Sequence, residues 1–302
     1  MLKLVLVVAL MLLVMPQAMA VDINVNDGSI NDWGLSQLTG DWSDENTWIP
    51  TIDGVSFFVE DNQDPFNTAA ANYNASYTGV HIYGNRTYQT VYREPLLAGT
   101  WAEPYGGERY DIEAMYVTEN TTHIFVLIIF SELYPYWASQ GLPSELADLA
   151  LDLDFNPATG GYGYEYGVNL HRLGNQNGQK YGIYATPNDS CWTVPSPFIQ
   201  NKPAEINFSV VNASNILGYA IVSYFNLNKD DFGKSNFAVE IAIPKSAVGN
   251  PTLSNNPSEA LKRFWISERC GNEAGPTISE FLTILIPAGI VIGVMIYIRG
   301  KK

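Results

Sequence analysis

Cysteine and basic side chains are scarce in this chain. There are two cysteines in 302 residues, and 16 lysines and arginines against 31 aspartates and glutamates. The cysteines, Cys191 and Cys270, form neither a CxxC nor a CxxCH, which argues against a zinc ribbon and a c-type haem site. Four basic residues (Lys3, Arg299, Lys301 and Lys302) sit at the chain ends. The stretch between the ends keeps every acidic residue and about 12 basic ones, a net charge of about −19. Such a field repels nucleic acid and anionic lipid, so neither is expected as a partner. Helical periodicity is almost missing, and no internal repeat is visible. No nucleophile, base and orienting group stand together as a set, so a non-catalytic role is expected.

Long apolar runs are confined to the ends. Residues 1–20 read as a signal peptide: Lys3 gives a positive start, Leu2 to Val14 an apolar core, and Ala18-Met19-Ala20 a small-residue cleavage pattern. Phe281 to Ile298 is apolar apart from Thr283 and Tyr297, with Pro287 inside. As a helix it would reach roughly 27 Å, enough to cross a bilayer. The basic end at 299–302 then belongs in the cytoplasm and the body outside the membrane. Residues 21–272 are read as one ectodomain and 273–280 as a short spacer.

The body of the chain speaks for strands. Val55 to Val59, Val80 to Tyr83, Thr87 to Tyr92, Tyr110 to Thr118, Lys180 to Ala185, Glu205 to Val211, Gly218 to Phe225 and Phe264 to Ser267 are predicted strands, with Gly, Pro and Asn turns between them. His123 to Phe130 is apolar on both faces and should be a central strand. In Phe237 to Ile243, residues Phe237, Val239, Ile241 and Ile243 alternate with Ala238, Glu240 and Ala242, which are expected to point outward. The fold class expected is all-β, a single large β-sandwich.

The most informative stretch is Leu146 to Val168. Leu149, Leu151, Leu153 and Phe155 alternate with Ala150, Asp152, Asp154 and Asn156. The turn residues Asn156 to Gly161 follow, and Tyr162, Tyr164 and Tyr166 return, so a hairpin is predicted. Asp152 and Asp154 would share a strand face, about 7 Å apart. That face is either simply solvated or bridged by a cation, and Ca²⁺ is the ion that carboxylate oxygens suit.

The two cysteines of an exported chain allow a single pairing, Cys191 with Cys270. Asn-x-Ser/Thr sequons stand at Asn74, Asn85, Asn120, Asn188, Asn207 and Asn212. Aromatic rings offer faces for sugar stacking. Trp137 and Trp192 fall in predicted loops and are the sugar candidates, whereas Trp33 and Trp265 read as core.

Several segments recur in a familiar order: Asp27-Gly28 with Asp32-Trp33, Gly106 to Tyr116, the Asp148 to Gly167 hairpin, Val239 to Pro244, and Phe264 to Glu273. Together they resemble exported archaeal surface proteins whose body is similar to family 9 carbohydrate-binding modules and DOMON domains. Ser279-Glu280-Phe281 before the apolar run resembles the PEF-CTERM sorting signal, with serine in place of proline. The resemblance implies structural Ca²⁺, with Glu60, Asp61, Asp64, Asp111, Glu113, Asp152 and Asp154 as candidate ligands. It implies a glycan or another envelope component as partner, a membrane contact through the C-terminal helix, and a sorting transpeptidase that could process the tail. Two alternatives stay open. One is a structural envelope or filament subunit that packs through β-edges. The other is a haem-binding DOMON-type domain, with Met115 and His81, His123 or His171 as axial ligands.

Overall fold

The computed structural model describes residues 21–35, 48–61, 78–86, 89–95, 112–131, 146–170, 181–193, 203–231, 234–267 and 273–274. The expected signal peptide and membrane helix lie outside the described residues, as do Asp64, Asn74, Asp111, Trp137, His171 and Cys270. No helix among the described residues is long and apolar enough to cross a membrane.

The alternating runs form strands β1 (Ser56–Asp61), β2 (Thr78–Gly84), β3 (Gln89–Pro95), β4 (Ile112–Glu119), β5 (His123–Ser131), β6 (Leu149–Leu151), β7 (Tyr166–Val168), β8 (Gly182–Ala185), β9 (Trp192–Thr193), β10 (Glu205–Ile206), β11 (Ile216–Tyr219), β12 (Ile221–Asp231), β13 (Lys234–Pro244), β14 (Phe264–Ser267) and β15 (Glu273–Ala274). One short helix, α1 (Pro257–Leu261), precedes β14. The strands make a seven-stranded sheet, β12-β13-β5-β4-β1-β2-β3, a six-stranded sheet, β11-β8-β7-β6-β14-β15, and a β10-β9 ribbon. All named pairings are antiparallel, which short hairpin connections permit.

The two large sheets share one core. Met115, Val126, Ile128, Val239 and Ile241 of the seven-stranded sheet meet Leu149, Leu151, Val168, Ile183, Phe264 and Ile266 of the six-stranded one. The fold is therefore all-β and sandwich-like. As its sequence requires, β5 has a strand on either side and is buried on both faces. Its second face, Phe125, Leu127 and Ile129, packs with Trp33, Trp48, Phe57 and Tyr116 in a separate cluster.

That second cluster corrects the reading of β13. Ala238, Glu240 and Ala242 do not face solvent; all three are buried. The cause is the N-terminal segment, which lays Ile23, Val25, Ile30, Trp33 and Leu35 over this face. A 3-10 turn at Asn31–Trp33 delivers the tryptophan, and Gly34 then reverses the chain at φ +75°. A Cβ on Gly34 would lie 2.8 Å from the Ile52 amide nitrogen, so the close approach to the next segment needs glycine. Tyr116 closes the layer, its hydroxyl donating to the Trp48 carbonyl at 2.8 Å. Tyr116→Phe should cost about 1 kcal/mol and lower the melting temperature by about 2–4 °C. An unchanged thermal melt would show that this bond contributes nothing net.

On the outer face of the six-stranded sheet, Ala150, Tyr184, Trp192, Ile206 and Trp265 form a third cluster. The strand expected over Glu205 to Val211 stops at Ile206. The Asn207 side chain accepts from Ser209 N at 3.1 Å, and the amides of Val210 and Val211 turn back to the Asn207 carbonyl. A local turn thus replaces the ladder.

Candidate metal centre

The predicted hairpin exists, but its first strand is shorter than expected. β6 ends at Leu151, and Asp152 to Asn156 leave the sheet. Phe155 adopts φ +59°, which breaks the strand alternation. The two aspartates therefore do not share a strand face. Asp152 is buried, with 4 % of its surface exposed, while Asp154 is exposed. Asp152 stays tied to β14's lead-in through its amide, which donates to the Arg263 carbonyl at 2.9 Å.

The loop folds back so that Asp152, Asp154 and Glu165 converge. Each offers a carboxylate oxygen within 4.8 Å of the others. Local hydrogen bonds set this geometry. Leu153 N donates to Glu165 Oε2 at 2.9 Å, Phe155 N to Asp152 Oδ1 at 2.8 Å, and Asn156 N to Asp154 Oδ1 at 2.8 Å. Gly160 at φ +71° and Gly163 at φ +88° let the chain double back to Glu165, just before β7.

The Thr159 hydroxyl sits at the centre. Its Oγ1 lies 3.0 Å from both oxygens of Asp154, 2.8 Å from Glu165 Oε1 and 2.8 Å from the Asn156 carbonyl. One hydroxyl has one proton and can satisfy one of these four oxygens. A proton on Glu165 could serve one more of these contacts, whereas a cation would serve all of the oxygens at once.

The electrostatics agree. Burial pushes the Glu165 carboxyl up to about 7; the Leu153 amide and Thr159 hydroxyl oppose this, and Asp152 and Asp154 add to it. Asp152 is also raised, by burial first and by Asp154 next, against the Phe155 amide and Arg263. Arg263 is the nearby positive charge. Its Nη1 donates to the Leu153 carbonyl at 3.0 Å, and its guanidinium lies 4.2 Å from the Phe155 ring centroid. It offsets part of the acidic charge but bonds to the backbone.

The donors are all oxygen: three carboxylates, a hydroxyl and a nearby carbonyl. This set fits a hard cation and suits the six to eight ligands of Ca²⁺ once water completes the shell. Sequence reasoning named Asp152 and Asp154 but missed Thr159 and Glu165. The signal was present: Asp152, Asp154 and Asn156 occupy positions 1, 3 and 5 of an EF-hand-like order, with Glu165 two residues beyond that motif's glutamate.

Among the described residues, the other expected ligands lie in the other sheet. Glu113 is buried at the β4 bulge in the other sheet, and Glu60 and Asp61 end β1, also in that sheet. Asp64 and Asp111 lie outside the described residues. The Trp192 reading is also corrected. It is 4 % exposed, buried in the third cluster, so its face is closed to a sugar. A Cβ on Gly161 or Gly167 would collide with its ring at 2.6 and 2.7 Å, which shows how closely the hairpin packs on it. Trp33 and Trp265 are core, as expected.

Among the described residues Cys191 is a buried free thiol, its Sγ 3.8 Å from Asn188 Oδ1; Cys270, its expected partner, lies outside them. Met115 is fully buried in the shared core, and His123 Nδ1 pairs with the Thr122 hydroxyl at 2.9 Å in a turn. Neither is placed as a haem ligand. Asn120, Asn188, Asn207 and Asn212 each accept from the amide two residues on, at 2.9 to 3.1 Å. The sequon spacing is thus also the spacing of an Asx turn. Asn85 lies between β2 and β3.

No protein-family model, curated protein or solved structure matches this chain.

Proposed function

We propose that this chain is a non-catalytic binding module of the archaeal cell surface, with Ca²⁺ held in the Asp152–Glu165 loop and a glycan of the envelope or its surroundings as ligand. The observation that carries the metal reading is the convergence of Asp152, Asp154 and Glu165 around the Thr159 hydroxyl. The ion would be structural. It would tie the end of β6 to the start of β7 and so fix the rim of the six-stranded sheet. Anchoring through the 281–298 run, and tail processing by a sorting transpeptidase, belong to the same reading and rest on the sequence.

A second reading is favoured by one observation. Leu217, Tyr219 and Ile221 are exposed where the chain passes from β11 to β12, the edge strands of the two sheets. An envelope subunit that packs edge to edge would cover such residues.

A glycan array probed with the full chain in detergent, with Ca²⁺ and with chelator, tests both readings. Saturable glycan binding that weakens in chelator supports the module. Absence of glycan binding, with concentration-dependent assembly by sedimentation, replaces it with the subunit.

A further inference from the structure

Glu240 is the acidic residue on the face of β13 that residues 21–35 cover, and it is fully buried. Its Oε1 accepts from Trp33 Nε1 at 2.7 Å, which ties the covering segment to the sheet. Its Oε2 is buried without a hydrogen-bond partner. The surrounding contact is apolar: Ile23, Val25, Ile30 and Leu35 join Trp33 over Phe125, Leu127 and Ile129 of β5. A neutral carboxyl tolerates such a place far better than a carboxylate, whose second oxygen would carry charge with neither water nor a donor.

The packed neighbours supply no counter-charge. Leu127 of β5 and Ser223 of β12 stand opposite Glu240 in the ladder. Trp48, Phe57 of β1 and Tyr116 of β4 complete the cluster, and burial raises the Tyr116 hydroxyl well above its usual range, so it stays neutral. The charges acting on Glu240 are Asp32 and Asp27 of the covering segment, both negative. Burial pushes Glu240 up to about 8; the Trp33 indole opposes this, and Asp32 and Asp27 add to it.

We propose that Glu240 is a proton-operated latch for residues 21–35: the neutral carboxyl holds the segment down, and its ionisation favours an open form in which the segment lifts and the carboxylate meets water. In the open form Glu240 titrates as an ordinary carboxyl near 4.5, in the closed form at about 8. The closed form is therefore favoured in full below about 4.5, and that preference is lost as pH rises through about 8. Opening bares the apolar face of β5 and β13, so it stays rare, but it becomes less rare with each unit of pH. The hairpin loop takes no part, so the latch stands or falls without the metal.

Hydrogen exchange read by mass spectrometry tests the latch in the full chain under chelator, with rates corrected for their intrinsic pH dependence. The reporters are the Trp33 and Gly34 amides, which donate to the Ile30 and Asn31 carbonyls, set against the amides of β5. The segment should open more often than β5, because its opening is local. Release of one proton should raise that opening about fiftyfold between about pH 6 and 8. Glu240→Gln, which keeps an acceptor for the Trp33 indole, should abolish the rise, and Glu240→Leu should do the same. Segment amides that open no more often than those of β5 overturn the latch, as does a rise that survives either substitution. Should both variants fail to fold, the comparison with β5 in the unaltered chain decides alone.

Discussion

Ca²⁺ at about one hundred times its Kd should stabilise the folded chain by about 2.7 kcal/mol per site, and chelator should remove that gain. The warrant is the repulsion stored among Asp152, Asp154 and Glu165, which a cation bound only by the folded state reverses. The gain should depend on pH. Glu165 in the metal-free fold titrates at about 7, above the ordinary carboxyl range, and Asp152 is raised as well. A raised carboxyl pKa contributes stability that is complete below about 4.5 and lost as pH rises through about 7. Glu240, pushed up to about 8 mainly by burial, extends the loss to higher pH. The melting temperature of the chelated chain should therefore fall between about pH 5 and 8, and the Ca²⁺ increment should grow over the same range because the ion displaces protons. Differential scanning calorimetry across that range checks both trends. Glu165→Gln should flatten the lower part of the chelated profile and shrink the increment. An increment that is the same at pH 5 and pH 8 would remove Glu165 from the site.

The largest effect of a single methyl group is expected at Gly160. A Cβ there would lie 2.1 Å from the Tyr164 carbonyl oxygen and 2.2 Å from its carbon, at φ +71°. Backbone atoms cannot swing away as a side chain can. Strain in the left-handed region and overpacking each cost about 1–3 kcal/mol, so Gly160→Ala should lose about 4 kcal/mol. In a domain of this size that lowers the melting temperature by about 10 °C. Because Thr159 and Glu165 flank the clash, the Ca²⁺ increment should disappear as well. Gly28→Ala is the control: φ is +68°, yet nothing lies within 4 Å of its Cβ. It should cost about 1 kcal/mol. Equal melting temperatures for the two variants would show that the hairpin relaxes around the added methyl.

Much of the strand pattern was legible because it is local. A strand buried on both faces must be apolar at consecutive positions, and β5 is; Asn and Gly turns set the hairpins where their side chains and left-handed conformations are needed. Other features escaped because alternation does not say which segment will cover a face. Ala238, Glu240 and Ala242 looked outward until residues 21–35 covered them, and Trp192 looked like a loop residue until the hairpin glycines closed on it. The Ca²⁺ reading named Asp152 and Asp154 for a strand face that Phe155's left-handed turn destroys.

By itself the sequence determined the all-β class, the acidic character of the body and an oxygen-only donor set around Asp152, since composition and period two act over a few neighbours. The tertiary structure decided which carboxylates meet. Glu165 reaches Asp152 through two glycine turns, and the Trp33 indole reaches the Glu240 carboxylate across more than two hundred residues of chain. Such meetings depend on which face each strand buries and on what packs over it, and those are properties of the assembled sheets.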